Sequence, residues 1–264
     1  MEKNEGILLM PSFYFPESLD DYKRKTSLTI EGDEFHHIVN VSRHRVGDEI
    51  LLNNGMGQLA HCEITFISKK NITVSINKID TYTKSDPEIA VSFSLLKNKN
   101  DQLIVEKLTE IGVSQFYPME TRYSVRRING YKSKESDPSN EKMIKTAITA
   151  IKQCDNAFLP KIHSINNIAN VIKSVKSHGF EPIIASEIEQ NISLEDLYTS
   201  IYPKPVCIFI GPEGGFHPDE FELFQQENVR CFSLGNHILR AETAAISSAA
   251  VIASYNYKHN KRYY

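Results

Sequence analysis

From Pro87 onward the chain alternates strand-type and helix-type runs, and that alternation restricts it to few folds. Ile89–Leu95 is an apolar run of strand length. Asp101–Ile111 then sets Leu103, Ile104, Lys107, Leu108 and Ile111 on one helical face, ending at Gly112. Ser139–Cys154 reads as a second helix, and Pro182–Ala185 and Pro205–Ile210 as strands. Pro218–Glu227 reads as a helix with Asp219 and Glu220 in its first turn, Cys231–Leu234 as a strand, and Glu242–Tyr255 as a helix rich in Ala and Ser. Strands separated by helices pack as a largely parallel sheet with helices on its faces, so this part is predicted to be an α/β domain.

The part before it has another rhythm. Between Phe13 and Tyr82, short β-type runs follow one another through tight turns: Glu49–Leu52, the turn Asn53–Gly57, Leu59–Ile67, and the alternating Asn71–Ile76. That pattern predicts a small barrel or sandwich, with one helical turn at Asp33–Ile38. The polar stretch Thr81–Asp86 separates the two patterns. The expected division is an extension over 1–12, a β domain over 13–82 and an α/β domain over 87–264.

Composition narrows the function. The 264 residues carry 30 Lys and Arg against 33 Asp and Glu, a formal charge of −3, with 41% hydrophobic residues. A disordered chain would have fewer apolar residues, and a sequence-blind nucleic-acid binder a basic surplus. Cys62, Cys154, Cys207 and Cys231 lie far apart with no C-x-x-C pair, so neither a zinc site nor a disulfide framework is expected, and a reducing cytoplasm fits. No apolar run approaches the roughly 18 residues that span a bilayer, and Glu2 and Glu5 are unlike a secretory signal. The expectation is a cytoplasmic protein with no membrane partner and no metal.

Two segments stand out, each leaving a strand and entering a helix. Ile210-Gly211-Pro212-Glu213-Gly214-Gly215-Phe216 has three glycines in five residues. Such a backbone adopts conformations closed to other residues and leaves its N–H and C=O groups open to a ligand. No Lys-Ser/Thr follows, and Glu213 would repel an anion, so the loop suits a neutral or cationic ligand better than a phosphate. The second segment is Leu234-Gly235-Asn236-His237-Ile238-Leu239-Arg240-Ala241-Glu242-Thr243-Ala244. Arg240 and Glu242 stand at a helix entry, in the crevice beyond the carboxyl ends of parallel strands where open α/β sheets bind ligands. The bland alternatives are a structural turn for the first and a surface Arg–Glu pair for the second.

Other patterns carry less. Gly55-Met56-Gly57-Gln58-Leu59-Ala60 matches a dinucleotide fingerprint, but strand-like His61–Ile67 follows, so a hairpin turn is expected. Ser94-Leu95-Leu96-Lys97 matches S-x-x-K without the companion motifs of penicillin-recognising enzymes. The adjacent His36 and His37 diverge in direction and have no metal-type companions. Basic residues are grouped locally: Arg122, Arg126 and Arg127 with Lys132 and Lys134; Lys23, Arg24 and Lys25 with Arg43 and Arg45; and the tail Lys258–Arg262. Either these are solvated loops or they meet phosphates, with Tyr123 and Tyr131 placed to stack on unpaired bases.

The two Gly-containing loops, in this order, resemble those of the RsmE family, 16S ribosomal RNA uracil-N3 methyltransferases of the SPOUT (trefoil-knot) superfamily. His36-His37 through Arg43 to Gly47-Asp48, then Lys107–Val113, Pro118 with Thr121-Arg122, and Gln153 fall in matching order, so the resemblance spans nearly everything beyond Ser12. It implies a PUA-like RNA-binding domain, a knotted methyltransferase domain, a homodimer, and 16S rRNA of the small ribosomal subunit as partner. It also implies S-adenosylmethionine held by three loops: Ile210, Gly211, Pro212 and Gly215; Leu234, Gly235, Ile238, Leu239, Arg240, Thr243 and Ala244; and Ser186-Glu187. RNA would meet Lys23, Arg24, Arg43, Arg45, Arg122, Arg126 and Arg127. The chain departs from the family's pattern where Lys152 replaces a Glu before Gln153, where Asn156 stands near a usual Arg, in having no Trp, and at Asn236-His237.

In the implied reaction Arg240 is the candidate for stabilising charge on the uracil carbonyls. Glu213, Glu242 or a water remain open as the base. The competing reading is a non-catalytic RNA-binding or ribosome-assembly protein, which would not need both loops intact.

Overall fold

In the computed structural model, the described residues are 10–20, 22, 26–96, 100–124, 138–187 and 191–259. The chain divides into two compact units, Met1–Lys84 with Ile151–Leu159, and Ser85–Ala150 with Pro160–Tyr264.

The first unit is a five-stranded sheet in the order β1-β3-β4-β5-β2. Its elements are β1 (Ser12–Tyr14), β2 (Ser27–Glu31), α1 (Gly32–His36), which runs into one π-helical turn at His37–Val41, β3 (Glu49–Asn53), β4 (Gln58–Ile67) and β5 (Asn71–Thr81). All its pairings are antiparallel except that of β1 with β3. Alternation chooses the faces: Leu28 and Ile30 of β2 and Ile72, Val74 and Ile76 of β5 are buried, while Ser27, Thr29 and Glu31 are exposed. With Phe13, Ile38, Ile50, Leu52, Cys62 and Ile64 they make one core. Pairing begins at Ser12, opposite Leu51, one residue ahead of the Phe13 start read from the sequence.

The fingerprint-like Gly55–Ala60 is the β3–β4 hairpin turn. Its glycines admit a second segment of chain. Gly57 sits at φ +100°, and a Cβ there would fall 2.7 Å from the Phe158 ring. Gly57 N–H donates to the Ala157 carbonyl and Leu159 N–H to that of Gly55, both at 2.8 Å. Ile151–Leu159 is thus stitched to the β unit, a return that one contiguous boundary near residue 86 does not convey.

The second unit carries a parallel sheet in the order β12-β10-β11-β6-β7-β8, with β9 also on β7. Its strands are β6 (Ile89–Ser94), β7 (Gln115–Glu120), β8 (Lys161–Ile162), β9 (Asn166–Asn167), β10 (Glu181–Ala185), β11 (Val206–Ile210) and β12 (Arg230–Phe232). Its helices are α2 (Asn100–Ile111), α3 (Pro138–Cys154, whose last turn belongs to the first unit), α4 (Ile168–Ser177), α5 (Leu194–Ile201), α6 (Pro218–Gln226) and α7 (Ala241–His259). All six residues of β6 and all five of β11 are buried, as strands covered on both faces must be. Val171, Ile172 and Val175 of α4 and Phe224 of α6 pack with Ala90, Ile184 and Phe209. α7 packs on β6, β11 and α2.

The α/β expectation and the parallel sheet hold, and so does each strand and helix read there to within one residue at its start. β7, β8, β9, α4 and α5 are additions. Asn167 caps α4 by accepting from Asn170 N–H, and Ser193 caps α5 by accepting from Asp196 N–H.

Candidate active site

Three neighbouring parallel strands stop at one edge of the sheet: β10 at Ala185, β11 at Ile210 and β12 at Phe232. The loops leaving them enclose a cavity of about 560 Å³, within the usual range for small-molecule sites. The crevice lies past the carboxyl ends of the strands, where an open α/β sheet holds its ligands.

The Gly-rich loop forms one wall. Gly211 lies against Phe216, whose ring would stand 3.0 Å from a Cβ at that position. Gly215 N–H donates to the Pro212 carbonyl at 2.9 Å, closing a turn, and Gly215 itself sits at φ +72°, a conformation glycine adopts without strain. The loop ends in the capping box of α6. His217 Nδ1 accepts from Asp219 N–H, the Glu220 carboxylate accepts from His217 N–H, and Pro218 fills the first helical position. Phe216 turns inward, edge-on to Phe221 and Phe224.

The second wall is Ser233–Arg240. Ser233 N–H donates to the Ile192 carbonyl, and Gly235 N–H to Ser233 Oγ. Ile238 is 82% exposed at the cavity edge, a large apolar side chain left for a ligand to cover. The third side is Ser186-Glu187, placed by the Ser186 N–H bond to the Phe232 carbonyl. Glu187 Oε1 would lie 3.3 Å from a Cβ at Gly215, so an acid of one loop faces the backbone of another.

Of the residues expected at the site, Ser186, Glu187, Ile210, Gly211, Pro212, Glu213, Gly215, Leu234, Gly235, Ile238, Leu239, Arg240 and Ala244 all line this cavity. Thr243 and Glu242 do not. Ala241 and Ala244, three apart on α7, face inward, which turns the two residues between them away. Thr243 is exposed, and Glu242 Oε2 is buried without a hydrogen-bond partner. Ala185, Phe216, Phe221, Ser233 and Ala241 join the lining beyond the expected residues, and so do Asn236 and His237, where the chain departs from the family's pattern. Placing Pro218–Glu227 on a helical wheel below the Gly-rich loop would have found Phe221.

None of the expected RNA contacts among the described residues lines this cavity. Arg43 and Arg45 are exposed on the loop between the π-helical turn and β3, and Arg43 sits at φ +60°. Arg45 N–H donates to Asp48, which with His44 beside it holds the Asp48 carboxyl below the usual carboxylate range. Arg122 is paired to Asp219 at 2.7 Å. Lys23, Arg24, Arg126 and Arg127 lie outside the described residues.

Residues 83–253 match the RNA methyltransferase domain family and residues 30–77 the RNA methyltransferase PUA domain. The chain is 30% identical to ribosomal RNA small subunit methyltransferase E 2 of Borreliella burgdorferi, across 82% of this chain and 86% of that one. The chain belongs to the ribosomal RNA small subunit methyltransferase E family. The Bacillus subtilis member is 27% identical, with 92% of this chain and 96% of that one covered. The fold is shared with a methyltransferase E from Neisseria gonorrhoeae solved bound to S-adenosyl methionine (TM-score 0.81, 23% identity, covering 93% of this chain and 98% of that one).

Among methyltransferase E chains, the departure at Lys152 has a local explanation. Its ammonium pairs with Glu34 of α1 at 2.8 Å, both side chains largely buried in the first unit. Asn156 accepts from Phe158 N–H, and its carbonyl accepts from Asn53, so it shapes the returning segment. Among the described residues no group of three or more His, Cys, Asp or Glu could hold a metal ion, and no helix is long and apolar enough to cross a membrane.

Proposed function

We propose that this chain transfers the methyl group of S-adenosylmethionine to N3 of a specific uridine in 16S rRNA of the small ribosomal subunit. The observation that carries the reading is the convergence of the two Gly-containing loops and the Ser186-Glu187 loop on one cavity. The lining fits the donor. Ile210, Leu234, Leu239 and Phe216 offer apolar surface, the loop backbones offer N–H and C=O groups, and the carboxylates of Glu187 and Glu213 do not oppose a cation. When bound, S-adenosylmethionine supplies a methyl group on a positively charged sulfur.

Uracil N3 lies on the pairing edge of the base, so the target must be unpaired or flipped out to reach the cavity mouth. N3 is a poor nucleophile until its proton leaves, and charge then spreads onto the two flanking carbonyls. Arg240, exposed at the end of the second wall, places a permanent cation where those oxygens would stand. Of Glu213 and Glu242, only Glu213 lines the cavity, which makes it the candidate of the two for taking the proton. Closing the loops over both reactants would exclude water and hold them in line.

The same reading makes residues 13–82 the RNA-binding unit and 87–264 the catalytic unit, with the knotted SPOUT path and a homodimer. Small residues of α7 (Ala245, Ser248 and Ala249) are fully buried and allow the close approach such a path needs. Saturable binding of S-adenosylmethionine by calorimetry, one per chain, is expected for a species that sediments as a dimer. No measurable binding contradicts the catalytic reading, and a monomer at every concentration contradicts the dimer.

A further inference from the structure

The Gly-rich wall ends at His217, and one carboxylate joins the main chain there to that of a second segment. Glu220 Oε2 accepts from His217 N–H at 2.8 Å, while Glu220 Oε1 accepts from the main-chain N–H of Arg122 at 2.7 Å. The two peptide groups come from segments 95 residues apart. A capping box needs only the first of these bonds; the second reaches beyond the helix.

The Arg122 side is well anchored. Ser94 of β6, Thr121 and Ser124 are buried and joined hydroxyl to hydroxyl, Ser94 to Ser124 at 2.6 Å and Ser94 to Thr121 at 2.9 Å. Ser124 Oγ also accepts from Thr121 N–H. The turn after β7 is therefore fixed to the middle of the sheet. From it, Tyr123 lies edge-on to His217 with ring centres 5.6 Å apart, and its Cβ would be 3.5 Å from a Cβ at Gly214. The Arg122 guanidinium reaches Asp219 at 2.7 Å and His217 Nδ1 at 3.3 Å, but Arg122 and Asp219 are mostly exposed, so the ion pair adds little.

We propose that Glu220 is a positioning residue for the methyl-donor loop. Its carboxylate transfers the rigidity of the turn after β7 to the end of the Gly-rich wall, and Tyr123 limits that wall from outside. This rests on the functional reading above. Glu220 does not line the cavity and touches no donor atom; it acts through the backbone of His217 and the loop before it.

Glu220→Asp separates positioning from helix capping. It keeps a carboxylate in the first turn of α6, within reach of His217 N–H, but is one methylene too short to span both peptide groups. Titration with S-adenosylmethionine is expected to show affinity about tenfold weaker, the order expected for losing one charge-assisted hydrogen bond. The thermal midpoint and the KM for small ribosomal subunits should stay close to wild type. Glu220→Asp binding the donor within twofold of wild type overturns the proposal. Tyr123→Ala, which leaves the capping box intact, gives a second test should the Asp variant fold poorly. It should weaken donor binding and Tyr123→Phe should restore it; unchanged binding by Tyr123→Ala overturns the proposal as well. A wild-type protein that binds no S-adenosylmethionine would instead sink the functional reading on which this rests.

Discussion

Arg240 and Glu242 are two positions apart and face different surroundings. The cavity turns on that difference. Arg240 closes the second wall with its side chain exposed, whereas Glu242 does not line the cavity and carries a buried oxygen with no hydrogen-bond partner among the described residues. Removing Arg240 should therefore affect the reaction more than the donor. Arg240→Ala is expected to lower single-turnover methyl transfer about 100-fold, the usual scale for a lost electrostatic stabiliser, with S-adenosylmethionine affinity within a few-fold of wild type. An equal loss of donor affinity by calorimetry would refute the role. The residues of the two Gly-containing loops were legible because their spacing and their place between strand and helix are local properties. Phe221 takes one step more, since it reaches the cavity through the rotation of the helix that follows the Gly-rich loop.

Among the elements, α3 shows how one substitution can be matched by its surroundings. Its last turn belongs to the β unit, where Lys152 meets Glu34 with side-chain exposures of 11% and 21%. Placing an acid there, Lys152→Glu, would face two carboxylates across a mostly dry contact. A loss of about 1–3 kcal/mol in denaturant unfolding is expected, below the full cost of breaking a buried pair because neither group is completely enclosed. The exchange Glu34→Lys with Lys152→Glu should recover most of it; no recovery would show that the pair does not set the cost.

The strand β7 shows why some elements escape a sequence reading. Gln115-Phe-Tyr-Pro-Met-Glu contains Pro118, a residue that argues against a strand interior. It is accommodated because β7's outer neighbour is interrupted. β8 pairs with Gln115 and Phe116, β9 with Met119 and Glu120, and neither bonds to Pro118. The missing N–H therefore falls in a gap, a feature of tertiary structure that no local pattern announces. α4 and α5 escaped for a different reason, because each is short, 10 and 8 residues, and begins at a polar cap inside a mixed sequence.

At the scale of the whole molecule, the slight negative charge and the RNA substrate are compatible. Basic groups sit in local clusters, and binding need only be salt-dependent to the extent of a few phosphate contacts. Stability should also depend on pH in a defined window. His163 stacks on Tyr117 with ring centres 4.1 Å apart and meets Gln115 Oε1 through Nε2 at 2.8 Å. Burial, with the charges of Lys161 and His178 adding to it, pushes His163 down to about 4. The unfolded chain, with a histidine near the ordinary value of about 6.5, binds more protons between those two values, so stability rises with pH across that window. Acidifying from about pH 6.5 towards 4 should cost on the order of 1–3 kcal/mol from this group. His163→Gln should flatten that part of the profile; an unchanged slope would assign it to other groups.

The proposed role of the cavity is to hold a methyl donor for a uridine of the small ribosomal subunit. The direct test is transfer of labelled methyl from S-adenosylmethionine to small subunits from a strain lacking the modification, followed by digestion and mass spectrometry of the nucleosides. N3-methyluridine is expected in the 16S rRNA, and its loss with Arg240→Ala. Label on another nucleoside, or none at all from a protein that binds S-adenosylmethionine, would contradict the proposed role.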